Sequence, residues 1–167
     1  MMRSILRLLL VASVATLVLA GCSHKPPVLK INLRGDAVLN PDPGGASLPV
    51  VVYLHQLKRR DKFEAAEFRA LWKSPGDALG SDLVESQELT LRPGEERHIE
   101  VQRNLDTRFL GVVALFRTPE GDRWRRVLPL DPKKKKQALR LSLRGSQVEL
   151  DAVKSGWFGG GSKSGDQ

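Results

Sequence analysis

Apolar and polar residues alternate with period two along most of this chain, and clusters of proline and glycine cut the alternation into short pieces. Leu29, Ile31 and Leu33 alternate with Lys30, Asn32 and Arg34 near one end, and Leu139, Leu141 and Leu143 alternate with Arg140, Ser142 and Arg144 near the other. Successive side chains of a strand point to opposite faces, so this pattern describes half-buried strands and not helices. Val50 to Leu57 is a β-branched and apolar run suited to the middle of a sheet. Val84 to Leu91, His98 to Arg103, Phe109 to Arg117, Arg123 to Leu130 and a last piece with Val148 and Leu150 continue the series. Turns are expected at Arg92-Pro93-Gly94-Glu95, Thr118-Pro119-Glu120-Gly121 and Gly145-Ser146. About eight short strands at regular spacing read as a mainly β chain folded as a two-sheet β-sandwich.

Two segments depart from that pattern. Asp61 to Trp72 is expected to form one added short helix, with Asp61 capping the first turn and Glu64 reaching back as in a capping box. Ala65, Phe68 and Trp72, with Leu71 beside them, would make its apolar face, and Ser74-Pro75-Gly76 would end it. The stretch Asn40-Pro41-Asp42-Pro43-Gly44-Gly45 cannot extend a strand, because proline has no N–H donor and glycine favours turns. It is expected to be an exposed loop that a Gly-Ser linker could replace with little change in melting, since exposed loops bury little surface.

The beginning of the chain reads as an export signal. Arg3 and Arg7 are followed by an apolar run from Leu8 to Ala20, which is shorter than the roughly 20 apolar residues that a spanning helix needs. Leu19-Ala20-Gly21-Cys22 resembles a bacterial lipobox, in which the cysteine thiol takes a diacylglycerol as a thioether and becomes, after cleavage, an N-acylated terminus. The alternative is an ordinary cut after Val18-Leu19-Ala20 that leaves Cys22 as an unpaired thiol. Two or more acyl chains hold a protein on a membrane where one does so only reversibly. Ser23 follows the cysteine in place of the aspartate that retains lipoproteins at the inner membrane, so similarity to bacterial sorting rules implies the outer membrane, facing the periplasm. The expected organisation is therefore a signal peptide at 1–21, a lipidated tether at 22–27, a sandwich domain at 28–151 and a disordered glycine-rich tail at 152–167. In that tail Trp157-Phe158 would be either a packing clasp or a docking motif.

Composition bounds the chemistry. The formal charge is +8, and falls to +6 when Arg3 and Arg7 leave with the leader, which suits an anionic surface or partner. One cysteine excludes an internal disulfide and a cysteine-built metal cluster, and three scattered histidines argue against a histidine-built one, so no metal or cofactor beyond the acyl chains on Cys22 is expected. His55 and His98 read as satisfied or solvent-facing strand residues, and His24 lies in the tether. Ser81-Asp82 lacks the glycine pattern of a nucleophile elbow, so no catalytic residue is assigned. Trp124, Tyr53 and Trp72 read as core residues, with Arg123, Arg125 and Arg126 on the opposite face from Trp124; the alternative is a cation–π surface formed by these arginines and Trp124. Lys133, Lys134, Lys135 and Lys136 are the strongest charge feature. They read either as a solvated loop that discourages edge pairing or as an electrostatic contact with lipid headgroups or an acidic partner surface. Export removes the chain from nucleic acid.

In order along the chain stand Cys22, Asn40-Pro41-Asp42, Pro49-Val50-Val51-Val52-Tyr53, Gln56-Leu57, Phe63 to Leu71, Leu79-Gly80-Ser81-Asp82-Leu83, Pro93-Gly94-Glu95 and Gly111-Val112-Val113-Ala114 with Trp124-Arg125. Together they resemble the type VI secretion outer-membrane lipoprotein (TssJ, SciN-like) family over roughly residues 22–151. The resemblance implies a transthyretin-like sandwich with a helical excursion and a non-enzymatic scaffold role. It further implies binding to the periplasmic C-terminal domain of the inner-membrane protein TssM, within a complex that includes TssL. In that family the loop between the first two strands holds TssM; here it corresponds to Gly35 to Ser47, with Asn40, Pro41, Asp42, Pro43, Gly44 and Gly45 at its centre. A different reading is a lipoprotein that captures a peptide or glycan in its sandwich, which would need a pocket lined by some of the nine aromatic residues.

Overall fold

The computed structural model describes residues 26–153; the signal segment, Cys22 and residues 154–167 with Trp157-Phe158 lie outside the described residues, while Ala152 and Val153, expected to open the disordered tail, end the last strand. Eight strands form two four-stranded sheets. The first runs in the order β4 (Glu96–Gln102), β1 (Val28–Leu39), β7 (Lys136–Gly145), β8 (Gln147–Val153). The second runs β3 (Leu83–Leu91), β2 (Val50–Leu57), β5 (Phe109–Ala114), β6 (Arg125–Pro129). β1 and β7 pair in parallel, and the other ladders are antiparallel. The chain is thus the mainly β sandwich that the alternation implies.

The period-two pattern sets the layering. Ile31 lies beside Leu139 and Leu33 beside Leu141 in the β1–β7 ladder. These leucines and isoleucines join Val52, Leu54, Leu110 and Val112 of the second sheet in one buried cluster. Full burial of such a side chain stabilises the fold by about 2 kcal/mol. The alternate residues of the first sheet face water, with Lys30 on Glu100 at 3.0 Å and Arg144 on Asp36 at 2.9 Å.

The expected single helix is three short ones: α1 (Asp61–Ala65), α2 (Phe68–Lys73) and α3 (Pro75–Leu79), followed by a 3-10 turn over Gly80–Asp82. Ala66 and Glu67 are extended, with ψ of 146° and 149°. Each helix sends one side chain fully inward, Phe63, Leu71 and Leu79. On one continuous helix Phe63 and Phe68 would point some 140° apart. The break lets Phe63 pack on the second sheet while Phe68 meets Trp124 edge-on at 4.9 Å. The carbonyls released at the break are not left bare, because the Arg125 guanidinium donates to Phe63 O at 3.0 Å and Ala66 O at 2.8 Å. Ala65, expected on the apolar face, is exposed, and Pro75 begins α3 instead of ending a helix. Asp61 makes no cap bond and takes Arg59, while Glu64 pairs with Arg60.

The strand directions give the domain two ends. β1 carries the chain about 35 Å from Val28 to Leu39. At the Val28 end lie residues 103–108 and 130–135, because Val28 pairs with Gln102 and Lys136. At the Leu39 end lie the β1–β2 loop, the crossing from β3 to β4 and the β7–β8 turn, with Leu39 beside Gly145 and Arg34 beside Glu96.

Candidate partner-binding loop

The loop between β1 and β2 is built from its strand ends inward. Register in the β1–β7 ladder slips between Gly35 and Leu39. At that slip the Val38 N–H donates to Asp36 Oδ1 at 3.3 Å, and Arg144 Nε donates to Oδ2 at 2.9 Å. These bonds hold the Asp36 carboxyl below the usual carboxylate range. Val38 is turned outward and is 58% exposed.

Asn40 is the pin of the loop and not a contact residue. It is buried, sits at φ 47°, donates from Nδ2 to Pro49 O at 3.0 Å and accepts from Arg117 N at 2.8 Å. Its own N–H donates to Gly145 O, so one residue ties the loop to both neighbouring connections. Asparagine tolerates positive φ better than most residues and brings both a donor and an acceptor. Pro41 and Asp42 are half-buried, and Asp42 closes the tip by accepting from Ala46 N at 2.8 Å. Pro43, Gly44, Gly45 and Ala46 remain exposed. The exposed surface of the loop is therefore Ala37, Val38, residues 43–46 and Pro49, with Pro41 and Asp42 partly accessible. Because Asn40 is buried and doubly bonded, a linker replacing Asn40 to Gly45 as a whole would cost stability, contrary to the expectation for a purely exposed loop.

The other sequence candidates fall elsewhere. Lys133 to Lys136 are all exposed and lie at the Val28 end, the length of β1 away from the loop. Cys22 is outside the described residues. His55 is fully buried, stacked on Tyr53 at 5.9 Å and edge-on to Phe63 at 6.2 Å, so it is not solvent-facing. Its Nδ1 shares a hydrogen bond of 3.0 Å with Ser86 Oγ, while Nε2 has no partner in good hydrogen-bond geometry. Burial lowers its pKa to about 4, partly offset by the Leu71 backbone. A neutral, enclosed imidazole without an orienting carboxylate is a packing residue, and the Ser86 contact is not a nucleophile–base pair. Among the described residues, no three His, Cys, Asp or Glu side chains gather closely enough to share a metal ion.

Tyr53 and Trp72 are half-buried and not core; the Tyr53 hydroxyl donates to Glu88 at 2.6 Å. Trp124 is core, and Arg125 lies over its ring at 4.7 Å, the cation–π alternative, and not on the opposite face. A cleft of about 440 Å³ opens on the water-facing side of the first sheet, lined by charged residues such as Arg34, Glu96, Arg140 and Asp151. None of its lining residues is aromatic, which counts against a glycan site there. Sequence reasoning included Val38 in the stretch Gly35 to Ser47 without singling it out; its one signal is the loss of alternation after Gly35. It missed Arg103, which carries no local signal because its partners are distant carbonyls, and it did not foresee that Arg125 donates to the distant Phe63 and Ala66 carbonyls.

Comparison with known proteins bears on these sites. Residues 27–146 match the family described as type VI secretion lipoprotein, VasD, EvfM and TssJ. The chain is similar to the crystal structure of the type VI lipoprotein TssJ1 from Pseudomonas aeruginosa, at 35% identity and TM-score 0.74, over 78% of this chain and 98% of that one. It is similar to Serratia marcescens Lip, a membrane-bound component of the type VI secretion system, at 25% identity and TM-score 0.69, over 77% and 99%. A chain in a structure described as the TssM C-terminal domain from EAEC matches at 26% identity and TM-score 0.65, over 76% and 99%. No curated protein sequence matches the chain.

Proposed function

The chain belongs to the type VI secretion lipoprotein family, and from that premise we propose that it is a lipid-anchored scaffold of the trans-envelope complex. Acyl chains on Cys22 fix it at the outer membrane facing the periplasm, and the loop around Pro43 to Ala46 holds the periplasmic C-terminal domain of TssM, which joins TssL in the same complex. The role is mechanical and needs no catalysis.

The observation that carries this reading is the direction of β1. The strand starts a few residues after Cys22 in the sequence and ends at the loop, which supports an anchor joined to one end of the sandwich and a contact surface at the other. A partner that reaches across the periplasm would meet the loop first. Confinement at a membrane raises the effective concentration, so a modest interface suffices.

The test is capture of the TssM C-terminal domain by the chain and by a version in which residues 43–46 are replaced by serines. Asn40 is left in place so that the fold persists. Loss of capture with unchanged melting is the expected result; equal capture by both would remove the loop assignment. The anchor is tested separately by Cys22→Ser, which should abolish palmitate incorporation and release the chain from membranes.

A further inference from the structure

The Val28 end carries a second surface. Lys133, Lys134 and Lys135 lie exposed on the β6–β7 connection and Lys136 opens β7, and among the described residues none of the four pairs with a carboxylate. The Asp131 carboxylate at the head of this loop accepts from the Lys133 N–H at 2.9 Å. At the same end, Leu105 is 72% exposed on the β4–β5 connection, the more exposed of the two large hydrophobics that the described residues leave in water.

Both connections are held firmly. Arg103, itself buried, donates through its guanidinium to the carbonyls of Asp131 at 2.8 Å and Lys134 at 3.2 Å. Its backbone N–H donates to Pro27 O at 2.7 Å, and Val28 N donates to Lys135 O at 2.8 Å. The first described residues and the lysine loop are thus fastened to each other. Gln56 braces the other connection, its Oε1 accepting from Asn104 N at 3.0 Å and Thr107 Oγ1 at 2.8 Å. The leucine thus stands out of a braced loop at the end of the domain that carries these cations.

Cys22 precedes Val28 so closely that the chain between them spans no more than about 20 Å. We propose that this end is a membrane-docking pad: Lys133 to Lys136 rest on anionic phospholipid headgroups and Leu105 enters the interface beside them. This rests on the acyl anchor of the proposed function and deepens it. An anchor alone leaves the domain free to swing, whereas a pad at the anchored end sets its orientation and keeps the Pro43 loop pointing away from the membrane. An acidic protein surface is the other possible occupant of a cationic loop, but it gives no reason for Leu105 or for the tie to Val28.

The processed, lipidated chain in vesicles decides the matter. With Cys22 acylated, an introduced cysteine is the one free thiol, so a polarity-sensitive fluorophore can be placed at Leu105→Cys, Lys134→Cys or, as a control, Ala46→Cys. In vesicles containing phosphatidylglycerol the first two labels should shift to the blue and be quenched by spin-labelled lipid, while the control is not. Vesicles of phosphatidylcholine alone, or about 0.5 M salt, should remove the effect. Each lysine at an anionic surface raises binding about fivefold, so neutralising Lys133 to Lys136 as glutamines should remove it too; the salt arm covers a variant that misfolds. Labels equally wet at all three positions on an anchored chain would overturn the pad and leave the anchor standing. Labels that respond to added TssM C-terminal domain but not to lipid would overturn it in favour of a protein contact. A chain that joins neither kind of vesicle would overturn anchor and pad together.

Discussion

Asn40 and His55 are polar residues that the fold buries, each with a measurable consequence. Asn40→Ala removes two hydrogen bonds and puts a less tolerant residue at positive φ, so it should cost about 2–3 kcal/mol in urea unfolding, against less than about 1 for Pro43→Ala at the exposed tip. The pKa of His55 is depressed to about 4 in the fold and is near 6.5 when unfolded. The neutral form is the one the fold keeps, so stability is full above pH 6.5 and falls as pH drops toward 4, where the loss levels off. The difference amounts to about 3 kcal/mol. Unfolding at pH 7 and pH 4.5 should show this slope, and His55→Gln should lack it. These residues were only partly legible from sequence. A histidine between Leu54 and Gln56 gives no sign that helices from elsewhere will cover it, and Asn40 looks like any loop asparagine until the Arg117 N–H is seen on its side chain.

At the level of elements, the strands follow from period-two patterning because burying one face of a sheet leaves little choice of register. The helical excursion does not, because its shape answers to the sheet beneath it. A Cβ added at Gly111 would lie 2.7 Å from Phe63 Cε2 and 3.0 Å from Leu57 Cδ1, so that glycine makes room for α1. Gly111→Ala should therefore destabilise by about 1–3 kcal/mol, and Phe63→Leu in the same chain should recover part of the loss, which thermal unfolding of the single and double variants will show. Losses that simply add would mean that Phe63 does not rest on Gly111. Arg125→Ala should leave the Phe63 and Ala66 carbonyls without donors and loosen α1 and α2, while β6 persists; amide exchange in residues 61–73 reads this directly.

For the whole molecule, function follows from which loops share an end. That is set by the parallel β1–β7 pairing and the crossing from β3 to β4, both contacts between distant parts of the chain. The family landmarks and the candidate loop were readable in the sequence. That the lysine run sits beside Val28 was not, because the two are far apart in sequence and no motif marks their pairing; nor was the outward turn of Val38, which depends on the register slip between Gly35 and Leu39. The most direct measurement is titration of the TssM C-terminal domain onto the membrane-anchored chain, with one variant altered at each end. Val38→Arg with Pro43→Arg should weaken binding at least about tenfold, as expected for the centre of an interface, while glutamines at Lys133 to Lys136 should leave the affinity as it was. Weakening by the lysine changes with no effect at Val38 and Pro43 would contradict a scaffold held by one end and engaged by the other.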